Sequence, residues 1–175
     1  MLLYLLILLI LSMPIFDKYL TIYINKFNTK TFSYIFSKYI IYFNLIINIV
    51  LIKYIYWKII LFRYFIELFI INFCFKCLLD RPRPRDSLLK DNKYYGVTDI
   101  IISKNWYNNQ SFPSGHVTTV YCTFRLINYL DIHILSLFYQ ILLILTIYSR
   151  INVGAHYLSD CTFAIFICLL LYRYV

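Results

Sequence analysis

Four stretches of this chain, residues 2–16, 39–76, 116–149 and 156–175, are runs of apolar side chains with few charges. A water-soluble fold of this size cannot cover them, because small globules leave much of their surface exposed. Of 175 residues, 62% are hydrophobic and 14% charged, against roughly 45–50% and about 25% in an ordinary soluble domain. Such a chain needs hydrocarbon as its solvent. The expected class is therefore all-α, an integral membrane helical bundle.

Charges and turn residues divide the runs. Residues 2–16 have no positive region before them and no small-residue cleavage site after, which favours a short first membrane helix over a cleaved signal peptide. Residues 17–38 mix Lys, Asn and Thr with Tyr, Phe and Ile and read as an interfacial segment at the headgroups. Lys53, Lys58 and Arg63, interleaved with Tyr54, Tyr56 and Trp57, mark an interfacial turn within 39–76. Asp131 and His133 mark another within 116–149, although Arg125 falls inside the first of the two spans this leaves. The sum is about six transmembrane helices, or five if the first lies in the interface. Residues 1–175 then form a single domain, with 77–115 as the long polar stretch.

The formal charge of +9 suits anionic lipid or an anionic substrate. Nucleic acid is a poor fit, because the basic residues flank membrane spans and no groove-reading module is present. Cys74 and Cys77 lack the second pair or neighbouring His of a zinc or redox site. In an apolar run they read as small hydrophobes.

Polar chemistry gathers in three clusters: Lys76 to Pro84, Pro113 to His116, and Ser149 to Asp160. The first ends one helix and the second begins the next. Two crossings then return the chain to the same face, where the third lies between two helices. His156 and Asp160, four apart, would share one face of a helix. A carboxylate on one ring nitrogen fixes the tautomer and raises the basicity of the other, as a nucleophile requires. Arg150 offers a planar fork to two phosphate oxygens. Ser114 and Gly115 open a helix whose first amides are donors with the positive dipole end behind them, and His116 is suited to general acid work. Lys76 and Arg83 supply positive charge for the equatorial oxygens of a transferring phosphoryl group. Arg81 and Arg85 read as interfacial or positive-inside residues.

Together the clusters resemble the type 2 phosphatidic acid phosphatase superfamily, whose signature is K-x6-RP, PSGH and SR-x5-H-x3-D. Lys76, Arg83, Pro84, Pro113, Ser114, Gly115, His116, Ser149, Arg150, His156 and Asp160 stand at the matching positions. The resemblance covers 59–175 and extends to the N-terminal third only as general architecture. It implies a membrane-embedded phosphatase acting on a lipid phosphate or diphosphate, among them phosphatidic acid, phosphatidylglycerophosphate, undecaprenyl diphosphate and lipid A phosphate. It also implies His156 as nucleophile forming a phosphohistidine, Asp160 orienting it and His116 as general acid and then base. Lys76, Arg83, Ser114, the Gly115 amide and Arg150 would bind phosphate. No metal and no cofactor is expected, since Asp160 is committed to His156 and no carboxylate cluster remains for Mg²⁺. The expected partners are the lipid phosphate and membrane lipids.

A count of basic residues places the motif-bearing face in the cytoplasm. The resemblance places it on the periplasmic or exterior side of a bacterial inner membrane. Two rival functions share the architecture: a vanadate-dependent haloperoxidase, and a non-catalytic membrane transporter or scaffold.

Overall fold

The computed structural model describes residues 13–52, 65, 69–75, 78–102 and 110–174. Helix α1 spans Pro14–Asn25, with proline at its start and Asp17 in its first turn, both favourable at a helix N-terminus. After a short turn, α2 runs unbroken over Lys30–Ile52. Residues 17–38 are thus not one interfacial segment but parts of two helices. Ser33, Ser37 and Asn44 explain the difference, because helical spacing puts all three on one face and all three are buried. Their polarity faces the bundle, not the headgroups.

A π-helical segment, Ile70–Phe75, precedes the polar region. There β1 (Leu79–Asp80) pairs antiparallel with β2 (Ile101–Ile102), Leu79 opposite Ile102. Between the strands lie a 3-10 turn at Pro84–Asp86 and a one-turn helix α3, Leu88–Asp91. Helices α4 (Gly115–Tyr129), α5 (His133–Asn152) and α6 (Leu158–Tyr174) follow. The chain breaks between α4 and α5 at Asp131, whose φ is 54°. Helix α4 packs against α5, α2 lies on both, α6 lies on α4, and α1 rests on α5 and α6.

The helices are apolar outside and polar within. On α5, Ile134, Leu137, Phe138, Ile141 and Ile144 are exposed while Ser136, Thr146 and Ser149 are buried. Water would reverse that distribution; hydrocarbon permits it, and small or polar side chains then hold the helices together. Asn44 Nδ2 donates to the Thr119 carbonyl (3.0 Å), Tyr139 Oη donates to Asn44 Oδ1 (3.0 Å) and Asn48 Nδ2 donates to Thr123 Oγ1 (2.9 Å). This ladder joins α2 to α4 and α5. Arg125 does not interrupt α4, because its Nη1 donates to the Cys168 carbonyl of α6 at 2.6 Å. Cys122, Cys161 and Cys168 are free thiols packed with Ala164 between α4 and α6, where small residues let the backbones approach closely.

Among the described residues, Lys30–Leu51 and His133–Asn152 are long and apolar enough to cross a bilayer. Helix α4 has 15 residues and the apolar part of α6 ends at Leu171, so each rises only about 20 Å. The expected first helix at 2–16 and the turn at 53–63 lie almost wholly outside the described residues.

Asn44→Ala removes the acceptor of Tyr139 and the donor to Thr119. It is expected to lower unfolding stability in detergent by about 1–3 kcal/mol, and Tyr139→Phe by less. Chemical denaturation of the single and double variants measures both, and their losses are expected to be non-additive.

Candidate active site

The third cluster is built by the junction of α5 and α6. Helix α5 ends near Arg150, whose carbonyl accepts the Ala155 and His156 amides at 3.1 and 3.3 Å. The turn between them needs Gly154 in the left-handed region, at φ +65°. A Cβ there would meet Arg85 Cβ at 2.9 Å. The close approach is made by a backbone bond, because the Arg85 amide donates to the Gly154 carbonyl (2.9 Å). It seats the Arg83 segment on the turn that carries His156.

His156 is 1% exposed. Its Nδ1 lies 2.5 Å from the Ser111 carbonyl. A carbonyl can only accept, so in the neutral ring Nδ1 carries the proton and the lone pair belongs to Nε2. Asp160 Oδ2 lies 3.8 Å from Nδ1, beyond hydrogen-bond length but within strong electrostatic range. His156 and Asp160 thus stand within ion-pair range as expected, but not as neighbours on one helix face. Helix α6 begins at Leu158, so His156 precedes it. Asp160, in the first turn, accepts the Tyr157 amide at 2.8 Å, which is one half of a capping box.

The second carboxylate oxygen belongs to Arg81. Arg81 is 0% exposed, not an interfacial charge. Its Nη1 donates to Asp160 Oδ1 and to Ser159 Oγ (2.8 Å). Nη2 donates to Asp17 Oδ2 (3.2 Å) and to the Tyr95 carbonyl (2.7 Å), and Nε to the same carbonyl (3.1 Å). The Tyr157 ring covers the guanidinium at 4.1 Å, a favourable cation–π distance. Burial works against this charge, but Asp160 and then Asp17 outweigh it and hold the pKa above the ordinary arginine value. Arg81 also places Ser111, whose amide and hydroxyl both donate to the Arg81 carbonyl, at 2.9 and 3.1 Å.

The second cluster closes on the same point. The Ser114 amide donates to the Asp160 carbonyl at 3.2 Å, which brings the N-termini of α4 and α6 together. Ser114 caps α4 without a side-chain bond. Its Oγ and Arg150 Nε are buried with no hydrogen-bond partner among the described residues. Both residues lie within interaction range of the Cys161 thiol, and Arg150 feels the charges of Arg83 and Arg85. Arg83 is half-buried; burial and then Arg85 push its guanidinium pKa below the usual value, against Asp86 and Asp160. His116 stands in the first turn of α4, partly exposed. The site thus concentrates cations and helix N-termini, an arrangement that attracts an oxyanion. Lys76 lies outside the described residues.

The family model described as PAP2 superfamily matches residues 55–175. The chain belongs to that superfamily. No curated protein and no solved structure matches it. The all-helical, membrane-associated PAP2 fold accounts for the helix count and the near absence of sheet among the described residues, and PAP2 membership supports phosphatase-type chemistry in general. Within the matched region, the three motifs meet through Ser111, Arg81 and Gly154, which the motifs do not include. Arg81 was legible only as a charge, and Ser111 acts through main-chain atoms that leave no mark in a sequence. Asp17 lies outside the PAP2 match; its one signal was an acidic residue at the edge of an apolar run.

Gly154→Ala is expected to lower unfolding stability by about 1–3 kcal/mol, from the left-handed backbone and the contact with Arg85. Arg81→Leu, which strands two buried carboxylates, is expected to lose about 3–5 kcal/mol. Thermal unfolding of the purified variants in detergent measures both.

Proposed function

We propose that this protein is a membrane-embedded phosphatase hydrolysing a lipid phosphate or diphosphate through a phosphohistidine. The observation that carries this reading is the convergence of all three clusters on His156. Ser111 holds Nδ1, Ser114 joins Asp160, and the Arg83 segment rests on Gly154. In the proposed reaction the His156 Nε2 lone pair forms a bond to phosphorus as the P–O bond to the lipid breaks. His116 gives its proton to the departing oxygen. It then takes a proton from the water that cleaves the N–P bond and releases phosphate. Arg83, Arg150, Ser114, the Gly115 amide and Lys76 bind the non-bridging oxygens, and Asp160 stabilises the positive ring. A loose phosphoryl transfer is served by placement and positive electrostatics of this kind.

The buried carboxylates beside the site, Asp17 and Asp160, are both engaged by Arg81, which supports metal-independent hydrolysis. The apolar outer face of the bundle supports a substrate whose chains stay in the bilayer. In this reading the whole chain is one multi-pass unit, with the site at the exterior face of a bacterial cell membrane.

Phosphate release from a panel of lipid phosphates and diphosphates tests the proposal. His156→Ala is expected to abolish turnover, by about 10³-fold or more, while substrate binding survives. His116→Ala is expected to lose about 10²-fold or more, most for basic leaving groups. Activity is expected to persist in EDTA. Wild-type turnover by the His156 variant, or activity lost to EDTA and restored by Mg²⁺, contradicts the reading.

A further inference from the structure

Asp17 belongs to none of the motifs and precedes the PAP2 match at 55–175. It sits on α1 between Phe16 and Tyr19, both exposed and apolar-faced, yet is itself 0% exposed. A buried carboxylate persists only with compensating partners, and those of Asp17 all lie at the site. Oδ1 accepts the Ser159 amide at 2.9 Å, and Oδ2 accepts Ser159 Oγ at 2.5 Å, Tyr94 Oη at 2.9 Å and Arg81 Nη2 at 3.2 Å. The other end of α1 is fixed independently. Asn25 Nδ2 donates to the Asn152 carbonyl (2.7 Å), and Asn152 Nδ2 donates back to the Ile24 carbonyl (2.8 Å). Two anchors, about 12 Å apart along the helix, set the register that brings Asp17 to Arg81.

Charge counting gives the consequence. A lone Arg81–Asp160 pair would be neutral, with the carboxylate's field spent on the guanidinium. Asp17 makes it two carboxylates on one guanidinium, a net charge of −1, in a region where solvent screens little. His156 Nδ1 faces that surplus at 3.8 Å from Asp160 Oδ2. We propose that Asp17 is a positioning residue for phosphoryl transfer: it shares Arg81 so that Asp160 keeps negative charge directed at the His156 ring. The proposal rests on the phosphatase reading above and adds α1 to its machinery.

The charges facing the cluster are Asp17 from α1, Arg81, Arg83, Arg85 and Asp86 from the polar region, Arg150 from α5 and Asp160 from α6. Tyr94, Tyr157 and Cys161 are its neutral titratable neighbours. Asp17→Asn keeps the shape and removes one negative charge, so the site becomes more positive and a protonated imidazole is disfavoured. The acid limb of kcat/KM, which reports the free nucleophile, is expected to move to lower pH by about half a unit to one unit. With it kcat is expected to fall about tenfold and KM to change less than about twofold, since Asp17 touches no substrate. Tyr94→Phe removes a donor from Asp17 and strengthens its hold on Arg81, so a smaller shift of the opposite sign is expected.

An Asp17→Asn enzyme with wild-type kcat and pH profile overturns the proposal, as does one with lowered kcat and an unmoved acid limb, the mark of a merely structural role. If Asp17→Asn does not fold, the Tyr94→Phe profile decides: an upward shift supports the proposal and an unmoved limb overturns it. If the wild-type protein hydrolyses no lipid phosphate, the phosphatase reading fails by itself. The proposal is then read from the His156 side-chain nitrogen resonances, whose titration midpoint must fall in Asp17→Asn relative to wild type.

Discussion

A guanidinium sealed from solvent exists only where carboxylates compensate it and its N–H groups find acceptors. Arg81 meets both conditions by drawing together parts of the chain far apart in sequence. Asp17 comes from α1, Tyr95 from the polar region, and Ser159 and Asp160 from the start of α6. The backbone of Arg81 continues the work, because its carbonyl holds Ser111 and the Ser111 carbonyl holds His156. The position of the imidazole therefore depends on an ion network centred on one side chain. Losing Arg81 leaves both buried carboxylates without their cation, which is why the network turns on that one side chain.

The bundle around it obeys a different rule. Where the outside is hydrocarbon, apolar burial between helices contributes little, and specificity passes to polar side chains and close-packed small residues. The Asn44, Asn48, Thr123 and Tyr139 ladder and the Cys and Ala seam of α6 fill these roles. They hold α2, α4, α5 and α6 against one another. The Ser114 amide that opens α4 and the Arg150 carbonyl at the end of α5 both bond to the segment that carries His156 and Asp160.

The residues whose chemistry demands a given type at a given spacing were legible in the sequence. Ser114, Arg150, His156 and Asp160 stood out by residue type and spacing, and the structure joins the segments that carry them through the Ser114 amide on the Asp160 carbonyl and the Arg150 carbonyl on the His156 amide. The break near Asp131 was legible too, as a polar pair inside an apolar run. What failed was inference from polarity alone. Ser33 and Ser37 resemble headgroup contacts in composition but face the bundle, so α2 begins earlier than expected. Arg81 resembles a snorkelling charge but is the most enclosed cation of the described residues. The four-residue spacing of His156 and Asp160 suggested a pair on one helix face; the helix starts two residues after His156, and Asp160 stays within ion-pair range of the ring while also bonding Tyr157 and Arg81. Ser111 was beyond reach, since it contributes a carbonyl that every residue possesses.

The most direct test is to quench the purified protein in mid-turnover of a radiolabelled lipid phosphate and map the labelled peptide. A phosphohistidine at this position gives an acid-labile, base-stable label on the peptide carrying His156, absent when that residue is replaced by glutamine. Turnover with the label on any other residue, or labelling that survives the replacement, would contradict it.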